Sequence, residues 1–325
     1  MRYMKLGTSG KKISKMGLGT WAIGGGPAWH DMDETQCIDT IVTAVENGIN
    51  LIDTAPGYNF GNSEKIVGRA LKRIDRQKVC LITKCGIVWD RKGALFNKVG
   101  DRQLYKLLTP ESIRQEIEDS LRRLQTDYID VYMTHWQAVE PYYTPIAKTV
   151  AELEKLKGEG KILAMGAANI SPTQIEEYEK YCRLDLVQGK YSVLDRTVEK
   201  NLLPICKKYG ITLQAYSPME QGLLSGTISK SYIPTGARAN KKWWQKGNME
   251  RVIDMLEDWK PLAEKYHCSV GALALAWVMN QRDNVNLLTG ATTPNEVLAN
   301  VVAADIVLDT EDNVKIRMMA EALDQ

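Results

Sequence analysis

Four side chains with complementary proton chemistry fall in three short segments: Asp53 and Tyr58 in LIDTAPGYNFGNSE (51–64), Lys84 in LITKCG (81–86) and His135 in DVYMTHW (130–136). Each lies at, or just after, the end of an apolar run that reads as a β-strand. An ammonium at a strand end in a partly dry cavity needs a carboxylate partner, and Asp53 can supply it. A phenol beside that ammonium is expected to have its pKa lowered from about 10, because a nearby positive charge favours phenolate. Such a phenol is a competent general acid for a carbonyl oxygen, and His135 can add a second hydrogen bond that orients the carbonyl. No side chain delivers hydride, so this chemistry implies a nicotinamide cofactor.

Positioning these residues requires a scaffold in which successive strand ends converge. Strands are predicted at 16–20, 50–53, 79–84, 128–134, 161–167, 185–190, 211–216 and 286–289. Between them the pattern turns helical. Ile38, Ile41, Val42 and Val45 recur at helical spacing over 34–47, and a second helix covers 63–72. A third opens at Thr109-Pro110 and puts Ile113, Ile117, Leu121 and Leu124 on one face. Further helices cover 145–158, a stretch opening at Ser171-Pro172, then 197–209, 249–266, 269–281, a stretch from Pro294, and 311–323. Eight strands alternating with helices are parallel βαβ units. Their number and the 325-residue length favour an α/β architecture: one closed (β/α)8 TIM barrel spanning 1–325. It would carry long loops at 86–108 and 217–248, after the third and seventh strands, and a C-terminal helix. Chemistry in such barrels sits at the C-terminal strand ends, where Asp53, Lys84 and His135 fall.

The bulk properties exclude several classes. Forty-two basic residues against 40 acidic ones leave +2, which favours neither nucleic acid nor an anionic membrane surface. No apolar run approaches the roughly 20 residues of a membrane span, and MRYMKLGTSGKKISKMG lacks a secretory apolar core. The six cysteines form no CxxC pair and read as reduced thiols of a cytoplasmic protein. His30, His135 and His267 lie far apart without metal-ligand spacing, so no metal is expected. GLGTWA (17–22) fits G-x-G-x-x-A, but that motif needs a helix opening at its glycines. AIGGGPAW follows instead, which is loop chemistry.

GLGTW (17–21), DTAPGY (53–58), GNSE (61–64), TK (83–84) and HW (135–136), in this order and spacing, resemble the aldo-keto reductase superfamily over nearly the whole chain. The resemblance implies a barrel that binds a nicotinamide cofactor without a Rossmann domain. It also implies Tyr58 as acid, Lys84 and Asp53 tuning it, and His135 orienting substrate. Cofactor contacts implied in the same way begin with Thr20, Trp21 and Asp53. Asn169 and Gln188 would bind the carboxamide, and Tyr216 would stack on the nicotinamide. Ser217, Met219, Gly222 and Leu223 would form a loop across the pyrophosphate, where glycine lets backbone amides approach closely. Gly290, Thr292, Glu296 and Asn300 complete the set, Asn300 at the adenine. Relatives often have serine where Ala168 stands, so one carboxamide bond should be missing.

NADP-using relatives place Lys or Arg in the segment corresponding to LLTGATTPNEVLAN (287–300). Here no basic residue occurs between Arg282 and Lys315, and Glu296 stands where arginine is common. Two like unit charges about 4 Å apart repel by roughly 4 kcal/mol at an effective dielectric of about 20. A carboxylate can instead accept from ribose hydroxyls. Thr293-Pro294-Asn295-Glu296 is equally a capping box in which Glu296 folds back onto the cap. Both readings of Glu296 stand, and the missing basic residues favour NAD(H) over NADP(H) in either.

Trp21 and Trp89 are expected to line the substrate pocket with Tyr58 and His135, and Trp136 to be plain packing. The basic residues Arg91, Lys92, Lys98 and Arg102 read as a solvated loop. The resemblance implies reduction of small aldehydes and ketoaldehydes of the methylglyoxal type. Two alternatives stay open: an NAD-dependent sugar or alcohol dehydrogenase on the same four residues, and a regulatory binding subunit. Oligomeric state has no signature in the chain.

Overall fold

A hairpin plugs the end of a barrel at which the strands begin. In the computed structural model, which describes residues 1–324, β1 (Tyr3–Lys5) pairs antiparallel with β2 (Lys12–Ser14). Leu6 and Ile13 of this hairpin are buried among inward-facing residues such as Leu51, Ile82, Val131 and Leu186. Bonds to Asn50, Asp185 and Thr212, all at strand starts, fasten it there.

The elements then follow as β3 (Met16–Gly19), α1 (Glu34–Glu46), β4 (Leu51–Asp53), α2 (Asn62–Leu71) and β5 (Cys80–Cys85). Next come β6 (Ile87–Val88), β7 (Ala94–Val99), β8 (Arg102–Lys106), α3 (Pro110–Leu124) and β9 (Ile129–Thr134). The chain continues through α4 (Ile146–Gly158), β10 (Ile162–Ala168), α5 (Pro172–Tyr178), β11 (Leu186–Lys190), α6 (Leu202–Tyr209) and β12 (Thr212–Tyr216). It ends with α7 (Lys246–Asp258), α8 (Lys260–Lys265), α9 (Val270–Met279), β13 (Val285–Gly290), α10 (Pro294–Val301) and α11 (Thr310–Glu321). Strands β3, β4, β5, β9, β10, β11, β12 and β13 close into a parallel barrel in chain order, as the alternating pattern predicts.

Local chemistry explains these boundaries. β5 and β9 are buried at every position, as expected of parallel strands covered on both faces. The Thr109 side chain caps α3, with Pro110 following, and Ser171 with Gln174 forms a reciprocal capping box on α5. Ile113, Ile117 and Leu124 of α3 are buried and Leu121 is half-buried. Among the described residues no helix is long and apolar enough to cross a membrane.

Three features depart from the pattern read in the sequence. The stretch 86–108 is not a plain loop: β6, β8 and β7 form an antiparallel three-stranded sheet. Its strands are short and half exposed, with Leu95 63% accessible, so no apolar alternation marks them. The helix expected at 249–266 is divided into α7 and α8 at Trp259, just ahead of Pro261, which lacks the N–H a continuous helix would use. The helix expected at 197–209 begins as a 3-10 turn, Thr197–Glu199, before α6.

Asp130 anchors the strand starts. Fully buried on β9, it accepts from Arg76 at 2.8 Å, from the Leu81 N–H at 2.9 Å and from Lys11. Asp130→Ala is expected to cost about 1–3 kcal/mol, because the buried Leu81 N–H loses its acceptor while the part-exposed Arg76 and Lys11 keep other partners or water. Urea unfolding measures this; a midpoint change worth less than about 1 kcal/mol would contradict it.

Candidate active site

Asp53 ends β4, Lys84 is the penultimate residue of β5, and His135 follows β9. These strands are direct neighbours, so their ends converge. The Lys84 ammonium donates to Asp53 Oδ1 at 2.7 Å and Oδ2 at 2.9 Å, to the Thr54 carbonyl at 2.9 Å and to the Tyr58 hydroxyl at 3.2 Å. The Tyr58 ring meets the His135 ring edge-on at 5.7 Å and lies 6.4 Å from Trp21. The structure therefore brings the four residues together.

Tyr58 is held by its loop rather than by its own hydroxyl. Its N–H donates to Ala55 and its carbonyl accepts from Ser63. Asn59, Phe60 and Gly61 then turn the chain through successive left-handed conformations into α2. The GNSE segment braces this turn. A side chain on Gly61 would run into Arg123, and Asn62 donates to the Gly24 carbonyl. Ser63 joins Thr20 and Thr54 in a buried hydroxyl cluster at 2.7 and 2.9 Å. Glu64 is buried between Thr83 and Arg123 Nε, the latter at 2.6 Å.

Burial works against the Lys84 charge, but Asp53 and Tyr58 more than offset it and hold the ammonium above its usual range. Tyr58 corrects the expectation from sequence. Lys84 does pull the phenol down, but burial outweighs that pull and the Asp53 carboxylate adds to the rise. The ring is half-buried, yet its hydroxyl end lies among fully buried groups, Lys84, Asp53 and Thr54. Tyr58 is thus a neutral phenol with its proton in place. Burial, reinforced by Lys84, pushes His135 well below the ordinary histidine range, so the imidazole is neutral. Its buried Nδ1 has no hydrogen-bond partner among the described residues.

Beside these groups opens a cavity of about 410 Å³, lined by Trp136, Asn169, Gln188, Lys190, Leu202 and Tyr216 among others. Asn169, left-handed at φ 50°, donates to the His135 carbonyl at 2.9 Å and accepts from the Tyr216 hydroxyl at 3.1 Å. Gln188 donates to Asp53 Oδ2 and to Gln214 Oε1, both at 2.6 Å. Ala168 is buried and has no hydroxyl to offer. Past Tyr216, Ser217, Glu220, Gln221 and Gly222 are all left-handed, Gly222 at φ 99°. Met219 is half-buried and Leu223 is fully buried, so Leu223 presents no surface to the cavity. Arg238 leans on this loop, donating to the Gln221 carbonyl at 2.9 Å, with its guanidinium 4.9 Å from the Trp244 ring.

Several expected residues sit differently. Thr20 is fully buried and its hydroxyl is engaged by Ser63 and by the Asp53 carbonyl, so its side chain does not reach the cavity. Trp21 stays 37% exposed beside Tyr58. Trp89 packs edge-on against Phe60 at 5.7 Å and near Arg123, while Trp136 packs on Phe96 at 5.2 Å, as expected, and also lines the cavity. Glu296 does fold back, but onto Thr292: its carboxylate accepts from the Thr292 N–H at 2.7 Å and hydroxyl at 3.1 Å. The cap residue is Thr293, whose side chain accepts from the Glu296 N–H. Asn300 donates to the Gly290 carbonyl at 3.3 Å. Among the described residues no acid, thiol and imidazole cluster could hold a metal ion.

Gln214, Ser63, Glu64 and Arg238 were given no role from sequence. A lone glutamine inside the apolar run ITLQAY (211–216) is the one linear signal that could have flagged Gln214. The cavity suits a flat heteroaromatic ligand: the Trp136 and Tyr216 rings and the Asn169 and Gln188 amides stand side by side in its wall.

Residues 15–321 match the profile of the Aldo/keto reductase family. The NADH-specific methylglyoxal reductase of Escherichia coli (strain K12) is 60% identical over 100% of both chains. Aldo-keto reductase YhdN of Bacillus subtilis (strain 168) is 35% identical over 99% of this chain and 94% of its own. Among solved structures, glycerol dehydrogenase AKR11B4 from Gluconobacter oxydans superposes with a TM-score of 0.87 at 34% identity, covering 98% of this chain and 95% of its own.

Proposed function

The chain belongs to the aldo/keto reductase family, and on that premise we propose that it reduces small aldehydes and ketoaldehydes of the methylglyoxal type with NADH, Tyr58 acting as the general acid. It is an NAD(P)H-dependent oxidoreductase that takes small carbonyl substrates. The observation that carries the finer reading is the Lys84 ammonium, bonded at once to the Asp53 carboxylate and the Tyr58 hydroxyl.

A bound nicotinamide supplies the hydride that the carbonyl carbon accepts. The protein's own groups manage the charge that this leaves on oxygen. Tyr58 gives its phenolic proton to that oxygen, and Lys84, 3.2 Å away, stabilises the phenolate left behind. Asp53 holds the ammonium in place. The neutral His135 donates a hydrogen bond to the same oxygen and orients the carbonyl. Solvent then returns a proton to Tyr58. Asn169 and Gln188 would hold the carboxamide, Tyr216 would stack on the ring, and the 217–223 loop with Arg238 would meet the diphosphate.

NADH preference rests on the 287–300 segment. Glu296 is exposed and tied to Thr292, and no lysine or arginine lies between residues 282 and 315. In water at about 4 Å each unit of 2′-phosphate charge costs about 1 kcal/mol beside Glu296, so a phosphate carrying about 1.5–2 charges is disfavoured roughly tenfold or more. kcat/KM with NADH is expected to exceed that with NADPH by at least about tenfold; equal values would reject the preference. The 60% identical relative, which is NADH-specific, supports the same choice.

Steady-state NADH oxidation with methylglyoxal and other short aldehydes tests the substrate class, and no turnover with any of them would sink it. The same groups run backwards oxidise a hydroxyl with NAD⁺, and a 34% identical relative is a glycerol dehydrogenase. Glycerol with NAD⁺ therefore belongs in the panel. Faster turnover there than with methylglyoxal would reverse the assigned direction.

A further inference from the structure

The interior of the barrel has an apolar half and a polar seam. Leu51, Ile82, Val131, Met133, Ala164 and their neighbours fill the first. The seam is a row of side-chain amides on β11, β12 and β13. Gln188 faces Gln214 in register, and Gln214 faces Asn286. Gln188 donates to Gln214 Oε1 at 2.6 Å, Gln214 Nε2 donates to Asn286 Oδ1 at 2.8 Å, and Asn286 Nδ2 donates to the Ser14 carbonyl at 2.8 Å. Gln214 and Asn286 are fully buried and Gln188 is 4% exposed. Barrel strands tilt, so a laterally paired row climbs from the hairpin plug to the cavity.

This row has a direction, and both of its ends dictate it. The Ser14 carbonyl can only accept, so Asn286 must turn its NH2 there and its oxygen towards Gln214. Gln214 must then donate to Asn286, towards the plug, and show its own oxygen to Gln188. At the other end the Asp53 carboxylate also only accepts, and it takes the second Gln188 proton at 2.6 Å. Reversing either terminal amide would set oxygen against oxygen inside a dry core. Both Gln188 protons are therefore committed, and the oxygen is what this residue can offer the cavity it lines.

We propose that Gln214 and Asn286 are positioning residues for ligand recognition: they pin the plane of the Gln188 amide so that only its oxygen faces the cavity, which matches a ligand bearing an N–H donor, such as a carboxamide. The inference rests on the nicotinamide reading above and adds a polarity to it. An unpinned glutamine, held by Asp53 alone, could swing its oxygen away and would cease to distinguish a carboxamide from a methyl ketone of the same shape.

The test compares equilibrium binding of NADH with that of its 3-acetylpyridine analogue, which carries a methyl ketone in place of the carboxamide, by quenching of tryptophan fluorescence in the intact protein. The wild type is expected to bind the analogue about tenfold more weakly, the value of one hydrogen bond lost to a committed acceptor. Gln214→Met keeps the volume and removes the pin, and the ratio is expected to fall below about threefold. Gln214→Glu, kept protonated by burial, still accepts from Gln188 with its carbonyl oxygen and donates its O–H to Asn286, and is expected to restore the wild-type ratio, which a purely structural role would not do. Should Gln214→Met fail to fold, Asn286→Leu, one step further from the cavity, is expected to narrow the ratio in the same direction by a smaller factor. An unchanged ratio in the folded variants overturns the inference and leaves the cofactor assignment intact. A wild type that binds neither dinucleotide overturns the cofactor assignment itself.

Discussion

Tyr58→Phe is expected to lower kcat by about 10²–10⁴-fold, the usual contribution of a positioned general acid, while the Kd for NADH changes by less than about twofold. The separation follows from how Tyr58 is held. Its position comes from backbone bonds to Ala55 and Ser63 and from the left-handed turn over residues 59–61, none of which uses the hydroxyl. Phenylalanine keeps the ring edge against His135 and removes one oxygen next to Lys84. Lys84 retains Asp53 and the Thr54 carbonyl as acceptors, so the variant leaves no stranded charge. Single-turnover and binding measurements made separately check this. Turnover within threefold of wild type would remove Tyr58 from its assigned role.

Lys84→Met should cost more than turnover. Lys84 is fully buried and Asp53 is 1% exposed, so deleting the cation leaves a carboxylate inside the barrel with only the Gln188 amide against it. Breaking one side of such a pair costs about 3–5 kcal/mol. The expected result is a large fall in stability together with loss of activity. Adding Asp53→Asn to Lys84→Met removes the stranded charge, and the double variant is expected to regain most of the stability but none of the turnover. Denaturant unfolding of the four proteins forms a double-mutant cycle. A double variant no more stable than Lys84→Met would mean that the ion pair is not what holds these strand ends.

What could be read from the chain depended on how local the controlling physics is. Apolar runs, prolines after Thr109 and Ser171, and glycines placed all eight barrel strands to within about two residues. Asp53, Lys84 and His135 fell at strand ends for the same reason, and the barrel closure brings them together. Properties fixed by three-dimensional packing were not legible. Counting a nearby ammonium without counting burial gave the wrong direction for Tyr58. Thr20 lies within a motif whose hydroxyls brace one another, and nothing linear says that they point inward. Trp136 lines the cavity as well as packing on Phe96, and its partner sits on β7, part of a sheet whose exposed strands are invisible to periodicity. The amide seam depends on which strands lie side by side, a relation that single-strand patterns do not contain.

The extra sheet over residues 87–106 packs on the cavity wall through Phe96 and Lys106 against Trp136, and the turn-rich segment follows directly on Tyr216, another lining residue, whereas Asp53, Lys84 and His135 ride on the strand ends beneath. Reactive centre and vestibule are thus mechanically separable modules. A lineage, or an engineer, can rebuild the vestibule by insertion and deletion without disturbing the machinery under it, and selection for a new carbonyl compound will leave its record chiefly in those two stretches.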